Sequence, residues 1–333
     1  MTDITKIPLV STEISGLWNC YINDTMIVCM IKKFLSNVED SETRAILQRT
    51  SDLSNQHIQE LINIFNKEKL TLPNGFNDSD VNPGSPRLFT DSFYLLYLTY
   101  TARVQMYKNT LFLNEITRFD IRAFFSKLIN ENIDLFNNSV DLSLSKGIFI
   151  RAPQVDVNKE VEYVKSQSFI TDLFGEKRPL LTIEITHIFS NIFTCITDRA
   201  VATAFGQVSK DKKVSNYFFE GKTIATKHID ILTTLLTDEG IPIPSTSDSF
   251  VTASTTAPFS EKLMMNYLRV MLVSIQISNA CMSMADSMRS DLEGMYINCV
   301  YELMKYSKKG LNLMIDNAWF QQSPQAVNHE NLV

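Results

Sequence analysis

The sequence predicts an all-α protein built as two tandem four-helix bundles, each with a long crossover between its second and third helices. Three observations carry the prediction. Glycine and proline contribute only 10 residues each out of 333, about half their usual share of roughly 12%, so the chain punctuates itself rarely, as long helices do. The same residues recur at a constant offset of 171 positions, a sign of internal duplication. Each copy also contains one loop long enough to run the length of a bundle.

The offset joins Glu13 to Glu184, Phe34 to Phe205, Asp40 to Asp211, His57 to His228, Glu68 to Glu239, Pro73 to Pro244, Arg118 to Arg289 and Asp120 to Asp291. Around residues 78–91 it slips by one, so that Phe89 meets Phe259 and Asp91 meets Glu261. The units are therefore 1–155 and 180–333, with 156–179 as connector.

In the first unit, a helix is expected over about 11–35, opened by Ser11, Thr12 and Glu13, whose side chains suit a helix start. A second runs over about 40–68, with Asp40 and Ser41 as cap candidates and Pro73 beyond its end. The stretch PNGFNDSDVNPGSP follows, and its density of turn residues makes it a loop. Third and fourth helices occupy about 90–109 and 115–144; the second unit gives 181–206, 211–239, 259–278 and 284–314. A loop of 16–20 residues can span roughly 50 Å, against roughly 38 Å for a 25-residue helix. The third helix can thus start at the opposite end of the bundle, the connection of ferritin-like folds.

Composition narrows the functional classes. Hydrophobic residues are 44% and charged residues 20%, ordinary for a globular chain with a real core. A net charge of −6 argues against a broad nucleic-acid surface. The five cysteines are scattered without a CxxC pair, the pattern of reduced thiols and hence of a cytoplasmic protein. The polar N-terminus resembles no signal peptide, and no uninterrupted apolar run approaches the roughly 18 residues of a membrane span. The expected partners are proteins, neither nucleic acid nor membrane.

The stretches LFTDSF, EKRPLLTIEITHIFSN, APFSEKLMMNYL, SMRSDLEGMY and NAWFQQSPQAVNHENLV resemble the duplicated bacterial family of unknown function known as domain 3231. The resemblance covers nearly the whole chain. It implies a ferritin-like fold, a spore-forming Bacillus-type source, a distant similarity to the spore coat protein F family and a possible place in the spore. It implies no catalytic residues.

Ferritin-like bundles can hold two metal ions through two glutamates and two Glu-x-x-His motifs. Of four histidines, His57, His228 and His329 lack a glutamate three residues earlier; only Glu184-x-x-His187 qualifies, and its counterpart is Glu13 with Gly16. A complete di-metal set is therefore not expected. A reduced site for a single zinc, manganese or iron ion would use Glu184, His187 and His228. The competing reading makes His57 and His228 core residues, each on an apolar stripe such as Leu53, His57, Leu61 and Ile64, bonded to Glu13 and Glu184. Residues i and i+2 face apart on a helix, so Arg118–Asp120 and Arg289–Asp291 are expected to bond loops, caps and neighbouring helices rather than each other. Asp78, Asp80 and Asn82 begin like a calcium loop, but Pro83 and Phe89 stand where Gly and Glu are required. No phosphate loop or nucleophile elbow is present in the sequence. Ile148–Phe149 and Trp319–Phe320 are read as apolar clasps over the bundle ends, or else as an edge that binds a partner.

The function expected from the sequence is a structural or interaction role without catalysis. Metal binding in the second unit and small-molecule binding inside a bundle are the alternatives.

Overall fold

A computed structural model describes residues 7–170, 177–245 and 249–328; His329 and Asp248 lie outside them. The first unit comprises α1 (Ser11–Leu35), α2 (Ser41–Lys67), α3 (Asp91–Leu113) and α4 (Phe119–Ser145). The second comprises α5 (Thr182–Val208), α6 (Lys212–Asp238), a rod running from Glu261 to Asp286, and α9 (Ser290–Asp316). The rod has two α-helical parts, α7 (Glu261–Tyr267) and α8 (Ser274–Asp286), joined by a π-helical segment, Leu268–Val273.

Local chemistry sets the helix starts. Asp40 caps α2 by accepting from Thr43 N at 2.9 Å, and Asp211 caps α6 through Lys213 N and Val214 N. Ser11, expected as a cap, is instead the first helical residue of α1, and Glu13 closes that end by accepting from Val10 N at 2.9 Å. Asp91, at the start of α3, accepts from Asp40 N at 2.8 Å. The third helix therefore begins beside the start of the second, the two run parallel, and the connection between them travels the length of the bundle. Glu261 repeats this contact on Lys210 N and Asp211 N at 2.9 and 2.8 Å.

The two crossovers pair with each other across an approximate two-fold axis. Isolated bridges join Val81 to Phe259 and Phe89 to Val251; at an offset of 170 these are the same pair read twice. The hydrogen bonds Asn82 N to Pro258 O (2.8 Å) and Thr252 N to Leu88 O (3.0 Å) are reciprocal in the same way, as are Thr90 N to Phe250 O and Ser260 N to Asp80 O. Residue i meeting j′ while j meets i′ defines an isologous interface, here closed within one chain. Aromatic rings follow the same symmetry. Phe34 packs edge-on to Phe259 at 6.4 Å, Phe205 edge-on to Phe89 at 6.2 Å, and Tyr97 stacks on its own counterpart Tyr267 at 5.9 Å. One hydrophobic core takes side chains from both units, and a smaller one fills the far end of the first.

The offset is 170 at Asp91–Glu261 but 171 again at Arg118–Arg289, so unit two gains one residue between those points. The π segment lies in that interval, and a π turn holds one residue more than an α turn. The rod Glu261–Asp286 is also, among the described residues, the one helix long and apolar enough to cross a membrane, with a mean hydropathy of 1.3 over an 18-residue window. Leu263, Met264, Met265, Leu268, Met271 and Leu272 are buried in the shared core, so that hydropathy serves packing.

The apolar segments after α4 and α9 each border both units. Trp319, Phe320 and Gln321 border Trp18 and Phe76 of unit one, and Gln321 Oε1 accepts from Asn74 N at 3.2 Å. Ile148 and Ile150 reciprocally border Phe193 and Phe250 of unit two. Each segment straps its unit to the other.

Candidate functional site

In the middle of unit one, all four helices contribute to a buried polar cavity of about 30 Å³, room for a water or two. Asp24 from α1, His57 from α2, Gln105 from α3 and Glu131 from α4 line it. His57 Nε2 lies 2.6 Å from Glu131 Oε2, and Nδ1 lies 3.5 Å from Asp24 Oδ1. The two carboxylates thus flank opposite edges of one imidazole. That makes a polar relay with one short hydrogen bond, to Glu131, and a longer ion-pair contact, to Asp24: an ion taken by one ring nitrogen would meet one carboxylate only, so these residues do not fit the shared di-metal chemistry of a ferritin-like centre. Glu131 also borders a groove of about 390 Å³ between α2 and α4, which gives the relay an outer end.

The second unit keeps half of this arrangement. His228 Nε2 contacts Glu302 Oε2 at 3.0 Å, and Lys227 shares that carboxylate at 3.1 Å. The counterpart of Asp24 is Cys195, whose sulfur takes a contact from Gln276 Nε2 at 3.5 Å. The two histidines consequently titrate in opposite directions. Burial by itself would lower the His57 pKa, but the hydrogen bonds and charges of Asp24 and Glu131 outweigh it and leave it raised. For His228, burial prevails over Glu302, Lys227 adds to it, and the pKa is lowered.

A raised histidine contributes stability that is fully present below its unfolded value near 6.5 and is lost as pH rises through its folded value. A lowered one costs stability as pH falls below about 6.5. The loss caused by His57→Gln should therefore grow between pH 8 and pH 5.5, and that caused by His228→Gln should shrink. Each tenfold difference in proton affinity between folded and unfolded chain is worth about 1.4 kcal/mol. Urea unfolding at the two pH values reads both, and parallel slopes would refute the assignment.

Glu13 and Glu184 do not partner these histidines. Both are fully buried at the bundle ends. Glu13 Oε1 accepts from Arg118 N at 2.8 Å and Thr117 N at 3.2 Å. Glu184 accepts from Arg178 Nη1 and Nη2, each at 2.8 Å, from Leu181 N and from Met288 N. Burial would raise the Glu184 pKa, but those bonds overcome it and hold it low. His187 pairs with Asp286 at 2.9 Å. Glu184, His187 and His228 are thus held by three different partners, and among the described residues no group of three or more His, Cys, Asp or Glu side chains is arranged for a metal ion.

Arg118 and Arg289 do pair with the acids two residues on, contrary to expectation. Arg118 Nε and Nη2 grip both Asp120 oxygens at 2.8 Å, while Nη2 also reaches Glu68 at 2.7 Å. Arg289 grips Asp291 at 3.0 and 2.8 Å and Glu239 at 2.5 Å. The helical i, i+2 argument fails because each arginine is the extended N-cap residue, with ψ of 126° and 124°.

Asp24, Glu131 and Glu302 are the site residues that sequence reasoning missed. Glu131 and Glu302 stand 171 apart, so the repeat itself held that signal; Asp24 is not repeated and had none.

The geometry defines a duplicated all-α protein whose two four-helix units share one core. The family model described as "Protein of unknown function (DUF3231)" matches residues 2–161 and again 168–332, one match per unit, and the chain belongs to that family. Comparison with curated proteins finds no match. Among solved structures, a candidate spore coat protein from Bacillus halodurans C-125 is similar at 14% identity and a TM-score of 0.42, over 46% of this chain and 100% of its own.

Proposed function

We propose that the protein has a structural or interaction role without catalysis, in the cytoplasm or the spore of a spore-forming bacterium, and that it works by self-association. The reading rests on α9. Ile297, Tyr301 and Met304 stand at i, i+4 and i+7 and are 55%, 61% and 59% exposed, one apolar row on the solvent face. The equivalent positions of α4 are Ser126, Asn130 and Ile133. Unit two thus presents an apolar row at two positions that are polar in unit one. Contiguous exposed apolar surface favours a partner, and Lys305, 4.2 Å over the Tyr301 ring, gives that surface a polar rim. Light scattering across a concentration series should show a dimer for the natural chain and a monomer of unchanged melting temperature for Ile297→Ser/Tyr301→Asn. A natural chain monomeric at every concentration would sink the reading.

A further inference from the structure

A recess of about 80 Å³ lies on the boundary between the units. Its walls include Trp18 and Trp319, which are the two tryptophans of the chain, and Phe320. Lys262 and Arg269 enter from unit two, and no aspartate or glutamate lines it. Among the described residues neither cation has an ion pair; Lys262 Nζ donates to Gly75 O at 3.2 Å, and the Arg269 guanidinium lies 4.9 Å over the Phe320 ring. Arg269 Nε is buried without a hydrogen-bond partner. Asn23, only 3% exposed, lines the same recess with its Oδ1 likewise unpartnered. A third cation stands behind, with Lys108 Nζ donating to Val270 O at 2.6 Å; burial first, then the Arg269 charge, brings its pKa down to about 8. In a chain of net charge −6, these half-buried cations have no acid among the residues lining the recess, and charge drawn away from water without a partner is costly.

The pseudo-two-fold supplies an internal control. The equivalent recess is bordered by Ser92, Leu96, Thr99, Ile148, Phe149 and Ile150. Their counterparts in the cationic recess are Lys262, Asn266, Arg269, Trp319, Phe320 and Gln321. No charged residue lines the recess of the first copy, although Arg103 stacks 4.6 Å over Phe193 beside it, so the cations lining the second are peculiar to that copy. Arg269 also sits in the π segment, a local irregularity that recurs at functional sites.

We propose that this recess binds a single-ring aromatic anion, a carboxylate or phosphate ester, with its charge against Arg269 and Lys262 and its ring among Trp18, Trp319 and Phe320. Guanidinium and ammonium supply charge-assisted donors, and the aromatic walls supply a flat apolar surface. The site is independent of self-association through α9. Because both tryptophans border the recess, their fluorescence reports occupancy directly. Titration of the full chain with benzoate or phenyl phosphate should give a saturable change, with benzyl alcohol and inorganic phosphate each at least tenfold weaker. Arg269→Thr/Lys262→Ser, which installs the residues of the first copy, should weaken binding at least tenfold with helicity and melting temperature preserved; Arg269→Lys should retain part of it. No saturable change with either aromatic anion would overturn the proposal, as would equal binding by the folded double variant or by benzyl alcohol.

Discussion

Replacing Arg118 with alanine is expected to cost about 3–5 kcal/mol of stability, the effect of breaking a buried ion pair by removing one partner. Its side chain is 1% exposed. One guanidinium joins the C-cap of α2 through Glu68, the first turn of α4 through Asp120, and the segment before α1 through Ile7 O. The bond to Asp120 is a planar fork, so Arg118→Lys should recover little. Its loss would leave two carboxylates facing each other at a bundle end, with only partial access to water. Arg289→Ala should act in the same direction through Glu239 and Asp291. Urea unfolding measures both, and a loss below about 1 kcal/mol for Arg118→Ala would mean the clasp behaves as an ordinary surface pair.

The second large effect concerns the boundary between units. Residues 1–155 alone should not persist as a folded monomer. Phe34, Phe89, Phe93 and Tyr97 are all at most 1% exposed in the full chain, and each contacts an aromatic ring of unit two: Phe259, Phe205, Phe250 and Tyr267 respectively. Uncovering one such side chain forfeits about 1.5–3 kcal/mol, and a domain's whole margin is only about 5–15 kcal/mol. Four at once approach or exceed that margin. The crossover would also lose its reciprocal backbone pairing with residues 250–260. Because the interface is isologous, the isolated unit carries a surface complementary to its own copy, and homodimerisation is its route back to a closed core.

The sequence made the helices legible because capping chemistry and hydrophobic period are local. Asp40, Asp211 and the long loop place six of the eight elements to within four residues, but the rod of unit two runs to Asp286, eight residues past its expected end, and α9 starts at Ser290, six residues late. The contacts between units were less legible, since a repeat offset says that two segments are alike without saying that they touch. The histidine partners show where the reasoning stopped short. Glu13 and Glu131 both recur at 171, and the repeat alone does not choose between them. Helical rise does: His57 lies ten residues before the end of α2, roughly 15 Å along the axis, while Glu13 sits beside that end. The Arg118–Asp120 pair is not legible from helical spacing because Arg118 is an extended cap residue, outside the helix whose geometry sets that spacing. The π segment is not legible because the return from an offset of 170 at Asp91 to 171 at Arg118 bounds the extra residue to an interval without placing it.

The shared core is tested most directly by the mass and unfolding of residues 1–155. Light scattering at micromolar concentration, together with urea unfolding followed by circular dichroism, should find either a homodimer or a chain without a cooperative transition. A monomer that unfolds cooperatively with the stability of the full chain would contradict the account.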